Sequence, residues 1–352
     1  MNFGGDGDIA FEVKGYAGIV TLTRPKALNA LNNTMVLALM AALDDWESDP
    51  SVHHIVIKAE GRAFCAGGDL LELYRNAEAG NLKYGFFEDE YRLNARLGVY
   101  PKPVIALING IVMGGGVGIS VHGRYRVMTQ NSVFAMPEVG IGFFPDVGGS
   151  FFLSRLPKSF GMFLALTGHR IRAGDAFECD VATHLTDADA LPDLEQALAA
   201  APDADALLET QPVPSSIASA ALDHDEIDRL FCHDTLDAII DALDGARADS
   251  ELAAAACKAI GAASPTSLAV TFRQIKAGRD LSLADCLRME YRILVRMLQG
   301  RELYEGIRAV IVDKRQDPHW QPETLAEVTP AALDAYFLPL GDDELTKVAE
   351  AQ

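Results

Sequence analysis

The 352 residues nowhere run 18 apolar side chains together, so no membrane-spanning helix is expected. Cysteine is sparse. The five thiols (Cys65, Cys179, Cys232, Cys257 and Cys286) are odd in number and form no C-x-x-C pair, which argues against a disulfide framework or a zinc site and fits reduced thiols. The eight histidines include no H-E-x-x-H, and the glycine-rich segments include no G-x-x-x-x-G-K-[ST], so neither a metalloenzyme nor a nucleotide P-loop is supported. Basic residues are few as well: 30 Lys and Arg face 50 Asp and Glu, and the net charge of −20 disfavours nucleic acid and anionic membranes as partners. The N-terminal MNFGGDGDIAFEVKG has neither a basic n-region nor an apolar h-region, which with the reduced thiols gives a cytoplasmic expectation.

The negative charge is concentrated. Between Thr186 and Ser250 sixteen acidic residues face two basic ones, Arg229 and Arg247, while the rest of the chain is near balance and leaves room for an anionic ligand. Apolar residues make up 49% of the chain, enough for a full core. The first part alternates strands with helices. Ile9 to Val13 and Gly18 to Thr23 read as a strand pair, Met35, Leu39, Leu43 and Trp46 as the buried face of a helix capped by Asn33 or Thr34, and His54 to Lys58 and Val104 to Ile108 as buried strands. From Ala253 onward the pattern is helical, with Ser282 and Asp285 as a capping pair. We therefore expect an α/β core over 1–185 and a helical region over 186–352, whose acidic first part is a solvated helical layer.

Three segments carry candidate chemistry. Ala63-Phe64-Cys65-Ala66-Gly67-Gly68-Asp69 and Asn109-Gly110-Ile111-Val112-Met113-Gly114-Gly115-Gly116 each place glycines between an apolar strand and a helix, where backbone N–H groups are free to donate to an oxygen that gains charge. Asp69 and Glu72 form a capping pattern that sets the first helix start. In the third, Glu138 and Asp146 are the only charges between Arg126 and Arg155, within AMPEVGIGFFPDVGG. Such surroundings raise a carboxyl pKa toward the range useful for acid–base work. The structural alternatives are a Glu138 satisfied by backbone N–H groups after Pro137 and an Asp146 that caps a helix beginning near Gly148. Ser120, in Gly118-Ile119-Ser120-Val121-His122, lacks the last glycine of a nucleophile elbow, and Cys65 reads as a buried thiol.

In this order the segments resemble the crotonase (enoyl-CoA hydratase/isomerase) superfamily, and more closely the 3-hydroxyisobutyryl-CoA hydrolase family. LTRPKALNAL, AFCAGGDL, NGIVMGGGVGIS, FAMPEVGIGFFPDVGG, LTGHRI, SPTSL, MEYRI and EGIRAVIVDKRQDPHW carry the likeness over nearly the whole chain. It implies a spiral of β-strand pairs and helices with a helical C-terminal region, and a coenzyme A site and oxyanion hole within 1–185. The resemblance also implies that the N–H groups of Gly68 and Gly115 form that oxyanion hole, that Glu138 is the catalytic glutamate, and that Asp146 is a second catalytic-site carboxylate. By the same carry-over Glu90 binds substrate, the Ala66 backbone faces the adenine, and Arg24 and Lys26 are candidate phosphate contacts; solvated loop charge is the alternative for those two. Hydratases that use two glutamates carry one where this chain has Gly118, which favours the hydrolase branch. The expected activity is hydrolysis of a β-hydroxyacyl-CoA, 3-hydroxyisobutyryl-CoA above all, as in valine catabolism, with no cofactor beyond the CoA of the substrate. A hydratase or isomerase is the alternative and a non-catalytic acyl-CoA binder a more distant one; a homo-oligomer is compatible with the composition.

Overall fold

A computed structural model describes residues 1–81 and 84–350. The chain opens with β1 (Ile9–Lys14) and β2 (Ala17–Leu22), an antiparallel pair turning at Gly15 and Tyr16, and then enters α1 (Asn33–Ser48). Asn32 caps α1, one residue before the expected cap, because its side chain accepts from the Met35 N–H. Met35, Leu39, Leu43 and Trp46 are all buried, as the helical spacing predicts.

Beyond α1 the chain repeats a two-strand step. β3 (His54–Ala59) leads to β4 (Ala63–Cys65), then α2 (Leu70–Glu78) and α3 (Gly85–Gly98); β5 (Val104–Ile108) leads to β6 (Ile111–Met113) and α4 (Gly115–Val121); β7 (Tyr125–Met128) leads to β8 (Val133–Ala135). After α5 (Gly149–Leu153) and α6 (Phe160–Thr167), β9 (Ile171–Arg172), α7 (Ala173–Glu178) and β10 (His184–Leu185) finish the strands. The first strand of each step joins one sheet, of order β1-β2-β3-β5-β7-β10, and the second joins another, of order β4-β6-β8-β9. Each turn of the chain thus stacks on the last, and β4, β6 and β8 run parallel, with Ala63 beside Ile111 and Ile111 beside Val133. Parallel strands in register end at the same edge. The residues that leave β4, β6 and β8 are therefore neighbours, although about fifty and twenty-five positions apart in sequence.

Every described element after Leu185 is helical: α8 (Leu191–Ala200), α9 (Ala204–Leu208), α10 (His224–Phe231), α11 (Leu236–Ala246), α12 (Glu251–Ala262), α13 (Pro265–Gly278), α14 (Leu283–Gln299), α15 (Glu302–Ile307) and α16 (Pro330–Phe337), with short irregular turns between. The acidic stretch is layered as its pattern suggests. Leu194, Leu198 and Leu208 pack with Ile19, Val56, Ile105 and Val127 on one face of the large sheet, while its carboxylates stay largely in solvent. No described helix is long and apolar enough to cross a membrane, and all five thiols are unpaired.

Candidate active site

The common edge of β4, β6 and β8 opens into a cavity of about 380 Å³. Its lining includes Ala66 to Asp69 after β4, Met113 at the end of β6 with Gly114 and Gly115 after it, and Pro137 and Glu138 after β8, with Glu90 from α3 and Asp146 from the loop before α5. Leu31, Phe86, Ile141 and Phe143 supply apolar wall. Six of the eight residues singled out from the sequence thus share one cavity, drawn from five separate segments.

Backbone geometry frees the two glycine donors. Leu31 pairs with the chain after β4 through a parallel bridge to Gly68, made by Leu31 N–H to Gly67 C=O (2.8 Å) and Asp69 N–H to Leu31 C=O (3.0 Å). That bridge uses the groups on either side of Gly68, so Gly68's own N–H faces away from Leu31. Gly115 is the first residue of α4 and has no carbonyl four residues earlier in the helix to bond. Gly114 before it sits at φ +47°, ψ −122°, a conformation closed to side-chain-bearing residues. At Gly115 the limit is space: a Cβ there would lie 2.5 Å from Glu90 Oε1.

The carboxyl groups are buried, and among the described residues no cation pairs with them. Glu90, Glu138 and Asp146 are 2%, 6% and 5% exposed, and among the described residues no Lys or Arg lines the cavity. Glu90 Oε1 and Glu138 Oε2 have no hydrogen-bond partner, while Asp146 Oδ2 accepts from the Tyr91 hydroxyl at 2.9 Å. Burial pushes all three carboxyls upward. Asp146 rises to about 7, with the Tyr91 hydrogen bond acting in the opposite direction. Glu90 and Glu138 lie well above the usual carboxylate range, through burial first and the Asp146 charge second. The three carboxyls therefore titrate as a coupled group, in which the Asp146 charge opposes ionisation of the other two.

The structural alternatives fare differently for the two central carboxyls: the backbone N–H of Glu138, directly after Pro137, does reach its own carboxyl. Glu138 is satisfied in this way only in part, since its Oε2 keeps no partner. Asp146 does not cap α5, whose cap residue is Gly148 and makes no side-chain cap bond. Arg24 and Lys26 stand outside the cavity lining. Arg24 donates to Asp69 Oδ2 (2.8 Å) and Ala30 C=O (3.0 Å) and pairs with Asp8, so it fastens the first loop to the cap of α2; Lys26 is exposed. The Ala66 N–H is committed to Leu28 C=O at 3.1 Å, which leaves its carbonyl for a ligand. Asp69 caps α2 by accepting from the Glu72 N–H, Ser120 Oγ donates to Gly116 C=O, and the Cys65 thiol is pushed up to about 12 by burial, all as the residues suggest. Tyr91 is the cavity-side contact absent from the sequence reading: it adjoins Glu90, but nothing in the sequence pairs it with a carboxyl 55 positions away.

Position 118 is closed. A Cβ on Gly118 would lie 2.7 Å from Asn94 Nδ2 and 2.8 Å from Val147 Cβ, so no glutamate fits there without displacing both.

A family model for enoyl-CoA hydratase/isomerase matches residues 17–337. The chain belongs to the enoyl-CoA hydratase/isomerase family. Among its relatives the 3-hydroxyisobutyryl-CoA hydrolase of Xenopus tropicalis mitochondria is 44% identical, with 97% of this chain and 91% of that protein covered. The human mitochondrial 3-hydroxyisobutyryl-CoA hydrolase is 43% identical, with 96% and 90% covered. Of solved structures, a carnitinyl-CoA dehydratase from Mycobacterium thermoresistibile matches with a TM-score of 0.88 at 42% identity, covering 97% of this chain and 99% of that one. The crotonase-like spiral expected from the motifs is thus the fold of this protein.

Proposed function

We propose that the protein hydrolyses β-hydroxyacyl-CoA thioesters, with 3-hydroxyisobutyryl-CoA as the preferred substrate, to the free hydroxy acid and CoA. The observation that carries this reading is the carboxyl pattern of the cavity: Glu138 beside Gly114, Asp146 and Glu90 in the same enclosure, and a position 118 that excludes the second glutamate of a two-glutamate hydratase. The names of the relatives support it.

In this reading the thioester oxygen lies between the N–H groups of Gly68 and Gly115, each typically worth roughly 3 to 4 kcal/mol to a tetrahedral oxyanion. Ionised Glu138 takes a proton from water as the oxygen adds to the carbonyl carbon; collapse breaks the C–S bond, and the departing thiolate takes that proton. Alternatively Glu138 attacks the carbon itself, expelling thiolate and forming a mixed anhydride that water opens. Label found in the Glu138 carboxyl after a single turnover in ¹⁸O-labelled water identifies the second route, because only attack of water on the Glu138 carbon of the anhydride puts it there. Asp146 and Glu90 receive the substrate hydroxyl. Hydrolysis consumes only water and thioester, so the reading assigns no cofactor, and the unpaired thiols support a reducing, cytoplasmic setting, which cell fractionation tests.

A solved structure described as a carnitinyl-CoA dehydratase favours addition and elimination of water as the second reading. Thiol detection over 3-hydroxyisobutyryl-, 3-hydroxypropionyl-, isobutyryl- and crotonyl-CoA distinguishes them. Release of free CoA, fastest from 3-hydroxyisobutyryl-CoA, is expected; hydration of crotonyl-CoA without CoA release would replace the proposal with the second reading.

A further inference from the structure

The loop that carries Asp146 is held in a shape it would not adopt alone. Val147 lies at φ +51°, which is strained for a β-branched residue, and Gly148 follows at φ +82°. Three side chains from three separate segments bind this loop, at Pro145, Val147, Gly148 and Ser150. Gln274 Nε2 on α13 donates to Pro145 C=O at 2.7 Å, and His122, at the end of α4, bonds Val147 C=O through Nε2 at 2.7 Å. Glu290 on α14 accepts from the Gly148 N–H (2.7 Å), the Ser150 N–H (2.8 Å) and the Ser150 hydroxyl. Gln274 and Glu290 are fully buried, and His122 is held neutral by burial, its pKa lowered to about 4, so it donates from Nε2.

We propose that Glu290, Gln274 and His122 are positioning residues that fix the Asp146 carboxyl toward the substrate hydroxyl by holding residues 145–150 in this strained turn. None of the three lines the cavity, so each acts through the loop rather than on substrate. The direction of each bond suits its partner: two donors meet the carbonyls of Pro145 and Val147, and the oxygens of one buried carboxyl group, its pKa pushed up to about 8 by burial, meet the two N–H groups at the start of α5, which has no side-chain cap of its own. An amide in place of Glu290 offers one acceptor oxygen where two are used and turns a donor toward an N–H group. The inference rests on the proposed hydrolase reading for what Asp146 does, but the clasp itself does not.

The test pairs Glu290→Gln with Gln274→Met, which keeps side-chain length and removes the donor, so that failure of one variant to fold leaves the other. Without substrate, amide exchange over residues 146–150 should speed up by about tenfold or more in each variant while exchange in β3 and β5 stays at parent rates. Unchanged exchange in this loop overturns the clasp whatever the activity. With substrate, the preference for 3-hydroxyisobutyryl-CoA over isobutyryl-CoA in kcat/KM should fall about tenfold, with hydrolysis of isobutyryl-CoA nearly retained. Equal losses on both thioesters overturn the positioning role, since a merely structural fault lowers them together. A parent enzyme that releases no CoA strikes the proposed function instead, and the exchange measurement still decides the clasp.

Discussion

Replacing Asp146 with asparagine should make the protein more stable at alkaline pH while impairing it as a catalyst. The Asp146 carboxyl has an ordinary value of 3.8 and is pushed up to about 7 in the folded protein, chiefly by burial. Below 3.8 both folded and unfolded states hold the proton and nothing is lost. As pH rises toward 7 the unfolded chain ionises first, so the folded state loses stability until its own carboxyl titrates at about 7, above which the loss is complete. At about 1.4 kcal/mol per pK unit the gap comes to about 4 kcal/mol. Asparagine does not titrate, and its carbonyl oxygen can still accept from the Tyr91 hydroxyl, so the substitution recovers most of that energy. Removing the Asp146 charge also relieves Glu90 and Glu138, both raised in part by it. With an unfolding entropy of about 2 cal/mol/K per residue, 4 kcal/mol is about 5 °C for a chain of 352 residues. Thermal unfolding of parent and Asp146→Asn should therefore diverge with pH, from a small difference near pH ~4.5 to a variant Tm about 5 °C higher at pH ~8.5. A variant no more stable than the parent at alkaline pH, or a difference independent of pH, would refute the claim that this carboxyl is buried at a cost.

In the same variant, loss of the Asp146 charge lowers the Glu138 pKa, so the acid limb of the kcat/KM profile should move to lower pH; a limb that stays in place would uncouple the two groups. Glu138→Gln should lower CoA release about 10³-fold with its Tm kept or raised, and near-normal release would remove Glu138 from the chemistry. Gly118→Ala forces a methyl against Asn94 and Val147 and should cost about 1 to 3 kcal/mol, read as a lower Tm; an unchanged Tm would show that the α3–α4 contact yields easily. The hydroxyl should matter more than the branch: isobutyryl-CoA should be the poorer substrate by a wider margin than 3-hydroxypropionyl-CoA, and the reverse order in kcat/KM would take Asp146 and Glu90 away from the hydroxyl.

How much of the molecule was legible in its sequence depended on the range of the interactions. Strands β1, β2, β3 and β5 follow from runs of apolar and β-branched residues, and the face of α1 from its spacing, because both patterns are local. The three-residue strands β4, β6 and β8 are too short to show a period, yet their parallel stacking is what assembles the cavity. Glu138 and Asp146 stood out because charge is rare around them. Glu290 did not, since it lies in a helix among Arg288, Arg292 and Arg296 and reads as a surface charge there; only its turn inward onto Gly148 and Ser150 buries it. Arg24 shows the opposite failure, a loop cation that looks free in sequence and is engaged by Asp8 and Asp69 in three dimensions.

The electrostatic plan of the cavity is consistent with an uncharged acyl group. A buried carboxylate is commonly matched by an arginine, but a guanidinium here would itself have to be desolvated and would fix the carboxylate in its ionised form. The protein instead sets the carboxyls against one another: burial raises all three, and the Asp146 charge raises Glu90 and Glu138 further. A neutral thioester with a neutral hydroxyl can enter such an enclosure, because it brings no charge to repel and offers a donor that a carboxyl can accept. On the proposed reaction, hydrolysis then converts that neutral acyl group into a carboxylate in the presence of the Asp146 charge and with no Lys or Arg among the described lining residues to hold it. Substrate and product differ by one charge, and like-charge repulsion acts only on the product, so the arrangement that raises the carboxyl pKa values also disfavours retention of the acid once it has formed.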